Sequence, residues 1–240
     1  MAISKEEITL IRKFQRQEAI LWPPRDLKMP FFVIGVGAVG SITAYALASL
    51  GCSDITVYDP DKIEIHNTAY SFYPEKFVKK TKVIALQKIL QYFKGKAFDL
   101  KIFDQKFLNQ PLVKDSIVII LVDDMDTRID IWQKRIKNNP DVSLLLEGRM
   151  TFETYRLYTV RPCDKDDIEF YESRLYPQKE AYSETCGQRS IIYTPMGLTS
   201  EIICNIKKFI KNEPVFKEII REYYGGTLIT NEEMKRENKF

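Results

Sequence analysis

Between Phe31 and Leu146, short runs of apolar residues alternate with stretches of helical periodicity, the pattern of strands and helices taken in turn. Phe31–Ile34 reads as a strand, Val39–Leu50 as a helix closed by Gly51, and Asp54–Tyr58 as a second strand, which together make a βαβ unit. Thr81–Phe93 carries Val83, Ile84, Leu86, Ile89, Leu90 and Phe93 at helical spacing, and Phe98–Phe103 predicts the strand that follows. Ser116–Val122 is almost wholly apolar, as a central parallel strand buried on both faces must be. Asp126–Lys137 predicts a helix and Val142–Leu146 another buried strand. Upstream, Glu6–Ile20 places Ile8, Ile11, Phe14 and Ala19 near helical spacing and stops before Pro23-Pro24, predicting an N-terminal helix.

After Gly148 the period changes. Thr154–Val160 alternates in the manner of an antiparallel strand, and Pro162–Arg189 is a long polar stretch of the kind that forms a functional loop system. Ser190–Tyr193 reads as a short strand, Pro195–Ile210 as a helix with proline in its first turn, Glu213–Tyr224 as a last helix and Asn231–Phe240 as a frayed charged tail. The expected fold class is α/β: a doubly wound, Rossmann-like, mostly parallel sheet with an antiparallel C-terminal extension. Ligands of such sheets lie outside the carboxyl ends of the strands.

Composition narrows the chemistry. The net charge of +3 over 240 residues comes from interspersed acids and bases rather than a basic stripe, which argues against nucleic acid as a partner. Met1–Leu21 is charged and amphipathic, and no apolar run approaches the roughly 18 residues that span a bilayer, so a cytoplasmic protein without a membrane partner is expected. The four cysteines (Cys52, Cys163, Cys186, Cys204) are far apart and His66 is the sole histidine, so neither a Cys/His zinc site nor a triad finds its usual spacing. His66 reads as a polar rim residue, and Cys52 and Cys204 as core.

The run Phe-Phe-Val-Ile-Gly35-Val-Gly37-Ala-Val-Gly40 joins the first strand to its helix through a turn suited to phosphate. Gly35 permits the tight exit, Gly37 lets backbone approach a phosphate, and Gly40 lets the helix pack close to the sheet. Asp59, ending the second strand about 20 residues beyond the loop, stands where a carboxylate accepts ribose hydroxyls, with Asp61 to assist it. A nicotinamide-dependent oxidoreductase shares these features.

The following segment separates the readings. Asp59-Pro-Asp-Lys-Ile-Glu-Ile-His-Asn67-Thr-Ala-Tyr-Ser-Phe72, then Val78-Lys-Lys-Thr-Lys82-Val, resembles the ThiF/MoeB-like superfamily of ubiquitin-activating-enzyme-like adenylyltransferases. Asn67, Phe72 and Lys82 fall on its motif, and Leu-Val-Asp123-Asp-Met-Asp-Thr-Arg128 is similar to its Asp-Asn-x-x-x-Arg. The resemblance implies that Lys82 and Asn67 contact ATP phosphates and that Asp123 is the magnesium-associated aspartate. It also implies that Arg16, in Arg16-Gln17, reaches ATP in the partner subunit of a homodimer. The alternative for Lys82 is a solvated basic helix start, and for Asp123 a helix N-cap, which Asp124 or Asp126 fills equally well.

Cys186 lies near the position where such proteins carry a cysteine before their final core helix. A thiolate there, its pKa lowered by Arg189, takes over an acyl group from an adenylate; the alternative is an ordinary loop cysteine. Tyr70 and Ser71 stand where the family has Arg and Gln, and Asp124 where it has Asn, which removes one planar cation from the phosphate site. The paired Cys-x-x-Cys zinc ligands are missing, so ATP and Mg2+ are expected and zinc is not. The implied function is ATP-dependent adenylation of the C-terminal glycine of a small ubiquitin-like or sulfur-carrier protein; the other readings are a nucleotide-binding scaffold and the oxidoreductase. The chain is expected to be one ThiF-like adenylation domain over 1–240, with 1–30 an N-terminal helix and connection, 31–148 the nucleotide-binding core, and 149–240 acceptor-recognition loops, antiparallel strands and C-terminal helices.

Overall fold

The computed structural model describes residues 9, 12–17, 20, 29–180 and 191–234. One eight-stranded sheet runs through it in the order β3-β2-β1-β4-β5-β6-β7-β8. The strands are β1 (Phe31–Ile34), β2 (Ile55–Tyr58), β3 (Leu100–Phe103), β4 (Ser116–Ile120), β5 (Val142–Met150), β6 (Thr154–Val160), β7 (Phe216–Glu222) and β8 (Thr227–Glu233). The first five pair in parallel and β5 through β8 pair antiparallel, so the expected fold class holds. The winding order reverses between β1 and β4, which are themselves parallel, because the chain winds from β1 out to β3 and then returns to the other side of β1. Such a switch point opens a crevice at the carboxyl ends of the strands.

Two apolar layers enclose the sheet. The helices α1 (Ala38–Leu50), α2 (Lys82–Lys94) and α5 (Tyr193–Ile210) cover one face, through Leu47, Leu86, Leu90, Leu198 and Ile202 on Val33, Val57, Ile119 and Leu146. On the other face α3 (Met125–Ile131), which continues as a π turn over Trp132–Ile136, and α4 (Lys165–Glu172) pack Trp132, Ile168 and Tyr171 on Phe32, Val118, Leu145 and Tyr158. Central strands buried on both sides explain why β1, β2 and β4 read as continuous apolar runs.

Several expectations are corrected. Glu213–Tyr224 is not a helix: Phe216–Glu222 is β7, and Thr227–Glu233, partly within the expected tail, is β8. Gly225-Gly226, with φ of +73° at Gly226, turns the chain back as a hairpin, and Ile219-Ile220 suits a strand better than a helix. Tyr193 opens α5 rather than ending a strand, and Pro195 is tolerated because a helix's first turn leaves its N–H groups unbonded anyway. The polar stretch contains α4, started by Asp164, whose side chain accepts the N–H of Asp167. β5 continues past Leu146 to Met150 and supplies the strand against which β6 turns back. Of the expected N-terminal helix, Thr9 and residues 12–14 are helical and 15–17 form a turn; Cys186 lies outside the described residues.

Ile119, on the central strand, is fully buried, whereas Ile229, on the edge strand, is 43% exposed. Ile119→Ala is expected to lower unfolding free energy by about 2–5 kcal/mol and Ile229→Ala by about 0.5 kcal/mol, measured by urea denaturation. Equal losses would contradict this placement of the core.

Candidate active site

The glycine loop leaves β1 at its carboxyl end and enters α1 directly. Gly35 has φ of +89°, and a Cβ on it would sit 2.8 Å from the Leu121 carbonyl oxygen. A Cβ on Gly40 would overlap the Gly35 carbonyl, so the helix can start this close to the strand only with glycine there. Gly37 differs: its φ is −72° and a Cβ would meet nothing within 4 Å. Its ψ of −137° lies outside the regions open to other residues, so glycine suits the backbone there, while the space over it is open.

Asp59 fixes the loop from below. It is 5% exposed; one carboxylate oxygen accepts the Val36 N–H at 2.8 Å and the other the Asp61 N–H at 2.9 Å. The buried Tyr73 hydroxyl donates to the Val36 carbonyl at 2.6 Å, so both polar groups of that peptide residue are held. Burial raises the Asp59 carboxyl above its ordinary value, against the pull of Lys82 and the two amides. Lys82 opens α2 and places its ammonium 2.7 Å from Asp61 and 3.5 Å from Asp59. Burial alone would lower that ammonium, but the Asp59 and Asp61 carboxylates outweigh it and raise its pKa, so it stays cationic through the neutral range.

The remaining expected residues divide. Asp123 follows β4 across the switch point from the glycine loop, is exposed, and makes no hydrogen bond or ion pair among the described residues. Asp124 is the N-cap of α3, accepting the Thr127 N–H at 2.6 Å, which removes the capping alternative for Asp123. Asn67 lies in a 3-10 turn, where its oxygen accepts the Glu64 N–H and its amide donates to the Tyr70 hydroxyl. Ser71 donates to the Asn67 carbonyl, so the two residues that replace Arg and Gln both brace this turn.

Arg16 is exposed, and the neighbouring Gln17 side chain reaches the Ser49 carbonyl in the last turn of α1. That is about 17 Å of helix rise from the glycine loop, at the opposite edge of the same chain's sheet. His66 is exposed beside Glu64, as a rim residue should be, and burial pushes the Cys52 thiol up to about 12.

Sequence reasoning missed a buried cluster beside Asp123. Arg128 donates to Glu147 and to the carbonyls of Val122 and Gly148, and Arg149 also pairs with Glu147, which accepts the Tyr171 hydroxyl as well. Arg128 was visible within the Asp-x-x-x-x-Arg motif, but its partner 19 residues downstream leaves no local signal.

The pattern that defines the ThiF family matches residues 27–213. This chain belongs to the ThiF family. Ubiquitin-like modifier-activating enzyme 5 of Culex quinquefasciatus is 36% identical over 75 residues, which are 31% of this chain and 18% of that protein, so under a fifth of the relative's length is matched. Among solved structures, PaaA has a TM-score of 0.70 at 17% identity, covering 96% of this chain and 84% of PaaA. E. coli MccB solved with ATP has a TM-score of 0.67 at 14% identity, covering 99% and 81%; with AMPCPP and MccA the score is 0.68 at the same identity and coverage. At these identities the likeness is one of fold. Among the described residues no helix is long and apolar enough to cross a membrane.

The two glycines give a test of whether a ligand fills the loop. Gly40→Ala is expected to destabilise by about 2–3 kcal/mol through overlap with backbone, and Gly37→Ala by about 1–3 kcal/mol through backbone strain without overlap. Thermal unfolding checks both. In titrations with ATP, Gly37→Ala should bind at least about tenfold more weakly; wild-type affinity would mean that no phosphate seats over Gly37.

Proposed function

We propose that this member of the ThiF family is an ATP-dependent adenylyltransferase that activates a carboxylate, the C-terminal glycine of a small ubiquitin-like or sulfur-carrier protein. The observation that carries the reading is the convergence, at one switch point, of an open glycine cradle, a largely buried carboxylate-ammonium pair and an exposed Asp123 that makes no hydrogen bond or ion pair among the described residues. A hydride-transfer enzyme shares the cradle and Asp59 but has no use for Lys82 or Asp123. The fold shared with MccB, solved with ATP and with MccA, supports it.

In adenylation a carboxylate oxygen attacks the α-phosphorus, the bond from phosphorus to the bridging oxygen of the β-phosphate breaks, and pyrophosphate leaves. The site must therefore bring two anions together and stabilise charge that grows on the leaving group. Gly35, Gly37 and Gly40 form the cradle for the phosphates, Asp59 and Asp61 face the ribose, and Lys82 supplies fixed positive charge. Asn67 acts from the braced turn beside them. Asp123 fits a magnesium site made of one carboxylate and nucleotide phosphates, the arrangement this ion favours. No group of three or more His, Cys, Asp or Glu able to hold a metal occurs among the described residues, which is compatible with an ion held mainly by phosphate. When bound, Mg2+ neutralises β- and γ-phosphate charge. Cys186 remains the candidate to receive the acyl group.

Arg16 lies too far from its own crevice to touch a nucleotide there, which supports the reading that it acts on the site of a neighbouring subunit in a homodimer. A two-fold dimer uses the same surface twice and would form two such composite sites. The second reading, a nucleotide-binding scaffold, is favoured by one observation: Tyr70 and Ser71 brace Asn67 instead of supplying an arginine. ATP binding without ATP–pyrophosphate exchange in the presence of acceptor would establish the scaffold and end the enzymatic reading.

Lys82→Ala and Asp123→Ala are expected to fold normally and to lower pyrophosphate exchange at least about tenfold, or 1.4 kcal/mol of transition-state stabilisation. Wild-type exchange in both variants would remove these roles. Mixing Arg16→Ala with Asp123→Ala after subunit exchange should restore about a quarter of wild-type activity, since half the dimers are mixed and each has one intact site. No recovery, with mixed dimers verified by mass spectrometry, would show that Arg16 does not act in trans.

A further inference from the structure

Part of the long polar stretch reaches back to the crevice. Gln178 opens a short 3-10 turn, Gln178–Glu180, and is tied reciprocally to α3. Its side-chain oxygen accepts the Met125 N–H at 2.8 Å, and its own backbone N–H donates to the Asp126 carboxylate at 2.9 Å. Met125 is the first residue of α3, and its N–H is one of those a helix leaves without an internal partner. From the same helix, Arg128 reaches back to the Val122 carbonyl. Asp123 therefore stands between two clamped peptides, with Asp124 capping the helix beside it. The polar segment has a second anchor: Arg149 donates to the Arg174 carbonyl at 2.8 Å while pairing with Glu147 of the Arg128 cluster.

We propose that Gln178 is a positioning residue for Asp123, and that through it residues 174–180 and the turn carrying Asp123 move as one unit. The proposal rests on the adenylation reading for the role of Asp123. The chain continues from Glu180 toward Cys186, so the clamp joins the metal-associated carboxylate to the stretch expected to meet the acceptor. Coupling of this kind is reciprocal: a reactant bound against residues 174–180 changes the setting of Asp123, and a metal-nucleotide at Asp123 changes that segment in return.

Gln178→Met removes the acceptor at nearly constant volume and adds no charge beside Asp123, Asp124 and Asp126. Hydrogen exchange of peptides over 121–128 is read alongside calorimetric ATP affinity with Mg2+ and with EDTA. Gln178→Met is expected to speed exchange over 121–128 and to weaken ATP binding in Mg2+ about tenfold, with affinity in EDTA unchanged and the melting temperature lowered by only a few degrees, as the loss of one hydrogen bond allows. Wild-type affinity in Mg2+, or an equal loss in EDTA, would overturn the proposal. If Asp123→Ala itself leaves affinity in Mg2+ unchanged, the metal reading of Asp123 fails instead. Exchange then decides the clamp: faster exchange in Gln178→Met keeps it, and unchanged exchange over 121–128 overturns it.

Discussion

The Asp59 carboxylate, buried under the glycine loop, is the joint from which the crevice is built. One oxygen holds the amide of the loop residue Val36, the other holds the amide of Asp61, and the Lys82 ammonium stands beside both acids. Taking a charge out of water is costly, so an isolated acid here would be expelled or neutralised. It is tolerated because backbone donors and a cation already surround it. Each of those partners comes from a different element: the exit of β1, the turn after β2 and the start of α2. The loop cannot relax at Val36 without leaving one oxygen of this buried carboxylate without its amide donor.

Buried charge by itself does not mark a functional site, and this chain contains a second example that shows why. At the far end of β6, Asp167 is fully buried between Arg161 and Lys217 and ties α4 and β7 to the end of that strand. Its chemistry matches that of Asp59 and Lys82, but no glycine cradle adjoins it. What distinguishes the crevice is the coincidence of satisfied buried charge with a glycine loop open over Gly37 and an exposed Asp123 that makes no hydrogen bond or ion pair among the described residues. Buried ion pairs therefore become informative only together with the loop and the neighbouring groups they support.

The half of the fold nearest the crevice was legible because its signals are local. Periodicity gives β1 through β5, three glycines give the loop, and the interval to Asp59 gives the second strand's end. Failures came where local signals conflict with pairing partners far along the chain. Phe216–Glu222 has enough apolar residues to pass for a helix, and only the Gly225-Gly226 turn and the partner strand β6 decide for a strand. The tie from Gln178 to Met125 spans 53 residues and that from Arg128 to Glu147 spans 19, so neither leaves a periodic trace. Whether Asp123 or Asp124 caps α3 was likewise open until backbone geometry settled on Asp124.

The missed cluster also explains how the two halves of the sheet are joined. β5 is the seam, parallel to β4 and antiparallel to β6, and Glu147 within it is in register with Ile120 on one side and Tyr158 on the other. Arg128 meets that seam with both terminal nitrogens, to Glu147 and the Gly148 carbonyl on β5 and to the Val122 carbonyl at the exit of β4. The Nε of Arg128 is buried without a partner among the described residues, a defect that in general costs about 1–3 kcal/mol. A lysine would avoid that defect but has a single nitrogen, which cannot span two strand exits in a fixed plane. The planar fork thus holds the β4 exit, next to Asp123, from two directions while one N–H stays unsatisfied among the described residues.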